Sequence, residues 1–325
     1  MNDIIVGLQY GDEGKGKVTK SLVENGNYTH CVRFNGGPNA GHTIYYNNQK
    51  IVTHQIPAGV FYGITSIIGP GCVVDLRKLK DEMEIIKGLG IDVTSLLKIA
   101  YNCHVISNNH INEDIQKDKI GSTGCGITPV YVDKYRKQGL RMCDSNTDLN
   151  IEVIDTSVEL NKENIKILFE GAQGYMLDID WGNYPYVTSS SCLSYNACST
   201  GVSLKTIDKI YGVCKLYRTY VGNYNFQPDD KNLVKLALAG NEVGATTGRA
   251  RQCDWLDLNQ LIKSILVNGV TNLIINKCDI IKEINVFNLY HDNHLMVFNN
   301  FEEMKSYITN KITIPIVYSE SKYTI

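Results

Sequence analysis

The 325-residue chain lacks the long apolar runs, paired cysteines and charge excess that mark several protein classes. No uninterrupted apolar stretch reaches the ~20 residues that a transmembrane helix needs. The N-terminus enters an apolar strand directly, so we expect neither a membrane span nor a signal peptide. The net charge of −2 gives no reason to expect nucleic acid or a membrane surface as a partner.

The ten cysteines form no C-x-x-C pair, and the seven histidines are scattered. A zinc site needs clustered ligands, so none is expected. Single cysteines in a chain without a secretion signal are typical of free thiols in a reducing cytosol, which predicts a cytoplasmic protein. No repeat, low-complexity segment or proline-rich linker divides the sequence, and we predict one domain covering residues 1–325.

The opening segment has the pattern of a phosphate-binding loop. Residues 4–6 are apolar and β-branched and predict a buried strand, and residues 7–17 then carry four glycines. Such a loop can point backbone N–H groups at an anion. The spacing of residues 11–17 matches the first seven positions of a P-loop, but Val18 stands where the magnesium-binding Ser or Thr normally follows. We therefore take Asp12 as the metal-binding carboxylate and expect it to be buried.

The rest of the chain alternates apolar, strand-like runs with stretches of helical spacing, as in residues 76–90 and 256–267. This alternation predicts an α/β fold with a large, mainly parallel central sheet, helices on both faces and a P-loop-like nucleotide-binding core. Functional loops should lie at the carboxyl ends of the strands. Residues 118–142 are polar and glycine-rich and predict a binding loop with little core. The strand candidates are residues 30–34, 43–46, 51–56, 66–69, 165–169, 209–217 and 272–275.

Two further loops carry candidate ligand-binding side chains. His42 lies in a glycine-flanked segment, where it can approach a phosphate as a proton donor or an electrostatic partner. Arg249 and Arg251 are two positions apart and can direct two guanidinium groups at one carboxylate or phosphate. The alternatives are a turn histidine satisfied by the backbone and a pair of solvated surface arginines.

Residues 276–279, Asn-Lys-Cys-Asp, follow an apolar strand, as does the N-K-x-D sequence of GTP-binding proteins. There the Asp carboxylate accepts two hydrogen bonds from guanine. Lys277 and Asp279 are therefore candidates for binding the base of a GTP donor.

Six sequence blocks in order resemble the adenylosuccinate synthetase family, in the short form typical of archaeal and viral relatives. The resemblance runs from residue 3 to about residue 280. It implies a magnesium-dependent ligase and homodimer with shared active sites that joins L-aspartate to inosine monophosphate (IMP) with GTP, through a 6-phosphoryl intermediate. The blocks are Gly-Asp-Glu-Gly-Lys-Gly-Lys (11–17), Asn-Ala-Gly-His-Thr (39–43), Phe-Glu-Gly-Ala-Gln-Gly (169–174), Tyr-Pro-Tyr-Val-Thr-Ser-Ser (184–190), Gly-Ala-Thr-Thr-Gly-Arg (244–249) and Trp-Leu-Asp (255–257).

Carried over by position, the resemblance implies a role for each matching residue. Asp12, His42 and Gln173 would be catalytic, with Asp12 as the base at purine N1 and, with Gly41, as a Mg²⁺ ligand. The residues on the donor phosphates would be Gly14, Lys15, Gly16, Lys17, Gly41 and Thr43, and those on its base Lys277 and Asp279. The purine monophosphate would contact Asn39, Ser122, Thr123, Lys137, Gln173, Thr188 and Arg249. The aspartate would contact Thr246, Thr247 and Arg251. Lys137 stands where the family has an arginine that reaches the neighbouring subunit's substrate, and Arg136 is the alternative.

Two segments depart from the family pattern. Residues 221–228, near the expected sugar, leave ribose and deoxyribose open, and residues 318–323, near the expected donor base, leave GTP and ATP open. One viral branch of the family uses deoxyguanylate (dGMP) instead of IMP, and the retention of Asp12 favours IMP. Two alternatives from other classes are a GTPase-like switch, opposed by the missing Ser or Thr after Lys17, and a nucleotide-binding structural protein.

Overall fold

The computed structural model describes residues 1–47, 49–118, 120–244 and 248–325. Its strands are β1 (Asn2–Gly7), β2 (His30–Arg33), β3 (His42–Tyr46), β4 (Gln49–Thr53), β5 (Thr65–Ile68), β6 (Val73–Val74), β7 (Leu97–Ala100), β8 (His104–Val105), β9 (Glu152–Ile154), β10 (Ile167–Glu170), β11 (Ile207–Lys215), β12 (Tyr217–Tyr220), β13 (Gln252–Asp257), β14 (Asn272–Asn276), β15 (Phe287–His291), β16 (His294–Phe298) and β17 (Ile316–Tyr318).

The helices are α1 (Lys15–Asn25), α2 (Leu76–Lys87), α3 (Val93–Leu96), α4 (Asn108–Lys117), α5 (Ile127–Arg136), α6 (Thr156–Glu159), α7 (Lys231–Ala239), α8 (Leu258–Asn268), α9 (Cys278–Ile284) and α10 (Phe301–Lys311). Short 3₁₀ helices cover Ala58–Tyr62, Met142–Asp144, Tyr175–Leu177, Ser194–Thr200 and Leu204–Thr206. Across the described residues, no helix is both long enough and apolar enough to cross a membrane.

A nine-stranded sheet forms the centre of the fold, in the order β17-β14-β11-β1-β10-β2-β5-β7-β9. All of its neighbouring strands pair in parallel. The prediction of a large, mainly parallel sheet is therefore confirmed. A smaller mixed sheet, β12-β13-β15-β16, continues from the end of β11.

Helices cover both faces of the central sheet, as predicted. Successive side chains of a strand point to opposite faces. Ile5 on β1 packs with Val18 of α1, whereas its neighbour Ile4 belongs to the large core cluster that includes Leu261 of α8 and Ile308 of α10. Burial on two sides explains why these strands are apolar throughout instead of alternating.

Two sequence expectations about local structure are wrong. Residues 118–142 are not a loop throughout, because α5 lies within them and buries Val130 and Tyr131 in a small core cluster. Gly126 is the N-cap of α5, with a φ of 76°, and Pro129 follows in the first turn, where a proline is tolerated. The predicted strand 209–217 ends at Lys215, and the chain then enters β12 in the other sheet.

The parallel arrangement brings the loops that carry candidate site residues to one edge of the sheet. The phosphate-loop segment follows β1, residues 34–41 follow β2, residues 171–174 follow β10 and residue 277 follows β14. All four are interior strands of the central sheet. Their carboxyl ends therefore place the candidate residues at one edge, as expected for an open α/β sheet.

Candidate active site at the carboxyl edge of the sheet

Two cavities lie at this edge and meet at a common boundary. The first is lined by residues 120–123, 186–189 and 219–221, and the second by the phosphate loop, residues 276, 277, 279 and 280, and residues 321–323. A group on the boundary can contact ligands in both cavities. The residues that line both are Asp12, Lys15, Gly41, His42, Gly244 and Arg251.

Asp12 is not buried, contrary to expectation. Its backbone is left-handed, with a φ of 59°, and 28% of its side chain is exposed. The buried carboxylate of the loop is Glu13, which accepts hydrogen bonds from the backbone N–H groups of Gln9 at 3.1 Å and Gly11 at 2.9 Å. The Glu13 carboxylate thus hydrogen-bonds the backbone of the loop from inside, whereas the Asp12 side chain lines both cavities.

The two lysines of the loop have different partners. Lys15 is buried and its Nζ forms an ion pair with Glu13 at 2.7 Å and donates to the Gln173 carbonyl at 2.5 Å. Lys17 donates to Ser319 Oγ at 2.7 Å and to the Ser321 carbonyl at 2.8 Å. Burial lowers the pKa of Lys17 to about 8. Both lysines line the second cavity, where their charge favours an anion.

Arg251 joins Asp12 to a buried carboxylate. Its Nε donates to Asp12 Oδ2 at 2.8 Å and its Nη1 to Glu242 Oε2 at 2.6 Å. Glu242 also receives Lys215 Nζ at 3.2 Å and the Tyr217 hydroxyl at 2.5 Å. Burial alone would raise the pKa of Glu242, but the charges of Lys215 and Arg251 outweigh it and lower the pKa to about 2. Glu242 is therefore ionised and fixes Arg251 at the boundary.

His42 is oriented by Glu170 at the end of β10. Its Nδ1 is hydrogen-bonded to Glu170 Oε1, and the other carboxylate oxygen accepts the Ala58 N–H at 3.0 Å. Among the described residues, none forms a hydrogen bond with His42 Nε2, although that atom is buried. Burial and the nearby charge of Arg33 lower the pKa of His42. The imidazole thus keeps one nitrogen available on the wall of both cavities.

The first cavity contains amide groups that lack partners. Asn39 Oδ1 and both side-chain amide atoms of Gln173 are buried without a hydrogen bond to any described residue. Buried polar groups without partners are costly, so we expect a polar ligand or a water molecule to hydrogen-bond these amides. Arg249 lies on the same wall and donates to the carbonyls of Gly121 at 2.9 Å and Ser122 at 3.4 Å. The other expected purine-site residues on this cavity are Ser122, Thr123 and Thr188.

The second cavity joins the phosphate loop to the N-K-x-D segment. Asn276 Nδ2 donates to the Glu13 carbonyl at 2.7 Å, which fixes one motif against the other. Lys277 and Asp279 line this cavity. A Cβ on Gly16 would lie 2.5 Å from the Thr43 carbonyl, so α1 can start beside β3 only with glycine at this position. Gly14, Gly41 and Thr43 complete the expected phosphate-binding set on its walls.

The adenylosuccinate synthetase family model matches residues 4–154 and 145–314. The adenylosuccinate synthetase of Chlorobium phaeobacteroides is 38% identical over 345 residues, covering 88% of this chain and 79% of the relative. This chain belongs to the adenylosuccinate synthetase family. The enzyme of Thermodesulfovibrio yellowstonii is also 38% identical, over 86% of this chain and 77% of its own length.

Two solved structures have the same fold. The fully ligated adenylosuccinate synthetase of Plasmodium falciparum matches with a TM-score of 0.81 and 30% identity, covering 94% of this chain and 85% of that one. The cyanophage S-2L succinoaminodeoxyadenylate synthetase, bound to dGMP and dATP, matches with a TM-score of 0.74 and 20% identity, over 95% and 98% of the two chains. Membership of this family of C–N bond-forming ligases argues against the GTPase-like switch and the structural protein.

Some residues expected from the adenylosuccinate synthetase resemblance are not placed at the cavities. Thr246 and Thr247, the expected aspartate contacts, lie outside the described residues. Lys137 and Arg136 are exposed at the C-terminal end of α5 and line neither cavity. A role for either one in a substrate site would therefore require a second subunit.

Sequence reasoning assigned no role to three carboxylates of the site. Glu170 ends an apolar strand, and a charged residue in that position is a signal that could have been used. Glu13 could have been distinguished from Asp12 only by knowing which of the two turns inward. Glu242 gave no usable signal, because its partners Lys215, Tyr217 and Arg251 come from separate segments.

Proposed function

We propose that this protein is an adenylosuccinate synthetase that joins L-aspartate to IMP with GTP in purine nucleotide biosynthesis. The observation that carries the proposal is the position of Asp12 and His42 on the boundary of the two cavities. An acid and an imidazole there can act on a phosphoryl group that passes from a donor in the second cavity to an acceptor in the first.

In this reaction Asp12 accepts the proton from purine N1, and the O6 atom of IMP then attacks the γ-phosphorus of GTP. His42 can stabilise the charge that develops on the departing phosphate oxygen when Nε2 carries a proton, a form that the bound polyphosphate favours. The aspartate amine next displaces phosphate from the 6-phosphoryl intermediate. Positioning and charge stabilisation, rather than covalent protein chemistry, carry such steps. Gln173, with its unpartnered amide, would hydrogen-bond the purine at the reacting position.

The residues present fit a magnesium ion at the boundary. Mg²⁺ prefers oxygen ligands and is usually bound by one or two carboxylates together with substrate phosphates. The Asp12 carboxylate and the Gly41 carbonyl are oxygen donors beside both cavities. The ion would neutralise phosphate charge during the transfer.

The charge of the second cavity supports a nucleoside triphosphate as donor. Its walls carry an excess of lysines over carboxylates, and a polyphosphate would balance that charge. Asp279 supports guanine as the base, since a carboxylate can accept the N1–H and amine hydrogens of guanine. The lysines are Lys15, Lys17, Lys20, Lys50, Lys215, Lys277 and Lys322.

The second candidate is the same chemistry with dGMP as acceptor and GTP or ATP as donor. The altered segment 221–228 contacts the first cavity, which favours this alternative. The Asn223 N–H donates to the Ile120 carbonyl at 3.0 Å, and the Tyr224 ring lies 4.9 Å from that of Tyr186. Ile120 and Tyr186 both line the cavity.

A substrate panel tests the proposal. Purified protein is given IMP or dGMP, with GTP or ATP, Mg²⁺ and aspartate, and phosphate release is followed. We expect aspartate-dependent release that is fastest with IMP and GTP. Faster release with dGMP would select the second candidate, and release that does not require aspartate would exclude both.

A further inference from the structure

We propose that Tyr45 and Tyr323 form an aromatic wall that binds the ring face of the donor's purine base in the second cavity. This inference rests on the proposed function, since it names a contact for the same donor nucleotide. The family resemblance already puts residues 318–323 near the donor base, and what is new is the ring-face contact by Tyr45 and Tyr323.

The two tyrosines form a defined pair. Their ring centroids lie 5.1 Å apart with an interplanar angle of 79°, an edge-to-face geometry. Lys322 Nζ lies 5.3 Å from the Tyr45 ring centroid and 5.8 Å from that of Tyr323. Tyr323 is nevertheless 56% exposed. All three residues line the second cavity, so an aromatic surface faces the space that also contains the phosphate loop and Asp279.

Hydrogen bonds hold the segment after β17 in place. Ser319 is buried and its N–H donates to the Ile275 carbonyl at 2.8 Å. Ser319 Oγ also donates to the Thr324 carbonyl at 2.8 Å, while Ser321 Oγ accepts the Tyr323 N–H at 3.1 Å. These bonds fold the segment back on itself and direct Tyr323 toward the cavity.

Tyr45 reaches the same cavity from β3. Thr43 and Tyr45 are two residues apart on the strand and therefore point to the same side. Thr43 also lines the cavity, next to Gly16 at the start of α1. Tyr45 therefore lies on the same side of β3 as Thr43, the side that borders the phosphate loop.

Lys17 connects the wall to the phosphate end of the cavity. It lies in the first turn of α1 and donates to Ser319 Oγ and the Ser321 carbonyl. A nucleotide whose phosphates lie at the N-terminus of α1 would therefore lie within reach of this segment. The positive charge of Lys322 above both rings adds attraction for an anionic nucleotide.

A ring-face contact and an edge contact have different consequences for selectivity. Aromatic stacking is tolerant of base identity, because every base has a π-face. The wall should therefore bind guanine and adenine nucleotides alike, whereas Asp279 reads the edge of the ring. A binding experiment can therefore distinguish the two contacts, because loss of the wall should weaken GTP and ATP equally, whereas loss of the Asp279 contact should not.

Calorimetric titration of the full chain with GTP and with ATP tests the wall. Tyr323→Ala and Tyr45→Ala should each weaken both nucleotides by about tenfold, the size expected for one lost stacking contact. Tyr323→Phe keeps the ring and should restore most of the affinity. Tyr195→Ala removes a half-exposed tyrosine outside both cavities and serves as the control. The KM values of IMP and aspartate should not change.

Unchanged dissociation constants in both alanine variants would overturn the inference. A Tyr323→Phe variant as weak as Tyr323→Ala would also overturn it, because the hydroxyl and not the ring would then make the contact. A loss of affinity confined to GTP would overturn it as well, because stacking should not distinguish guanine from adenine. If the wild-type protein binds nucleotide but shows no aspartate-dependent turnover, the proposed function fails while this binding comparison still decides the wall.

Discussion

Arg251 Nε donates a hydrogen bond to Asp12 Oδ2 at 2.8 Å on the boundary of the two cavities. This ion pair links the proposed base to the proposed aspartate-binding arginine. Glu242 holds the other side of the same guanidinium at 2.6 Å. A substrate carboxylate that binds Arg251 would compete with Asp12 for it, so aspartate and the base are physically coupled.

Asp12→Asn should abolish the base while keeping the size of the side chain. We expect turnover to fall by about 10³-fold, within the range for loss of a general base and with an added loss of metal binding. Nucleotide affinity should fall much less, because the phosphate-loop backbone is unchanged. Steady-state kinetics and GTP titration measure both quantities. Asp180→Asn, a surface change, is the control, and near-normal turnover in Asp12→Asn would remove Asp12 from the mechanism.

Arg251→Leu should raise the KM for aspartate by roughly 10- to 100-fold, since a hydrogen bond to a charged group contributes ~1.5–3 kcal/mol. The donor KM should change far less. Thermal unfolding should also occur at lower temperature, because Glu242 loses a partner in a buried site. Arg77→Leu, an exposed arginine, is the matched control. An unchanged aspartate KM would contradict the assigned role of Arg251.

The sequence was sufficient to predict that the candidate loops lie at the carboxyl edge of the sheet, but not which of them are neighbours. Parallel strands all end at one edge of their sheet, so segments after β1, β2, β10 and β14 had to gather there once the α/β pattern was recognised. The orientation of single side chains was not predictable in the same way. Asp12 and Glu13 are neighbours with the same charge, and the sequence does not show that Asp12, with its left-handed backbone, is exposed while Glu13 is buried.

Contacts between distant segments also could not be predicted from the sequence. His42 and Glu170 are 128 positions apart and belong to separate sheets, His42 to β3 and Glu170 to β10. Helix α5 was missed because polar and glycine residues on both sides of it gave residues 118–142 the composition of a loop. Its tertiary contacts through Val130 outweigh that local signal.

Glu170→Gln should reduce kcat by about tenfold, because the neutral amide orients His42 less strongly than a charge-assisted hydrogen bond does. The KM values for IMP and aspartate should stay within a few-fold. Steady-state kinetics separate the two effects, and thermal unfolding reports any general loss of stability. Asp75→Asn changes another buried carboxylate, at the N-cap of α2, and lies outside both cavities. Equal losses of kcat in both variants would reduce Glu170 to a structural residue.

Donor binding should take up a proton at alkaline pH. Burial lowers the pKa of Lys17 to about 8, so above that pH much of its amine is neutral in the free protein. A bound polyphosphate favours the charged form and raises the pKa again. Affinity should therefore fall as the pH rises through about 8, with proton uptake on binding that is small well below that pH.

Calorimetry in two buffers of different ionisation enthalpy measures this uptake. Lys17→Arg keeps its charge at every accessible pH and should lose the alkaline proton uptake. Equal uptake by the wild-type protein and Lys17→Arg at about one pH unit above the pKa of Lys17 would assign the proton to another group.

Lys137 is exposed at the C-cap of α5 and lines neither cavity of its own chain, so we expect it to contact a substrate phosphate across a dimer. Lys137→Ala should then have low activity by itself and should regain activity when it is mixed with Asp12→Asn. In a mixed dimer one shared site contains both changes and the other contains neither. A statistical mixture should therefore regain about a quarter of wild-type activity. The same mixing with Arg136→Ala decides which residue acts. Native mass spectrometry confirms the hybrids, and hybrids without regained activity would exclude a shared site through this helix.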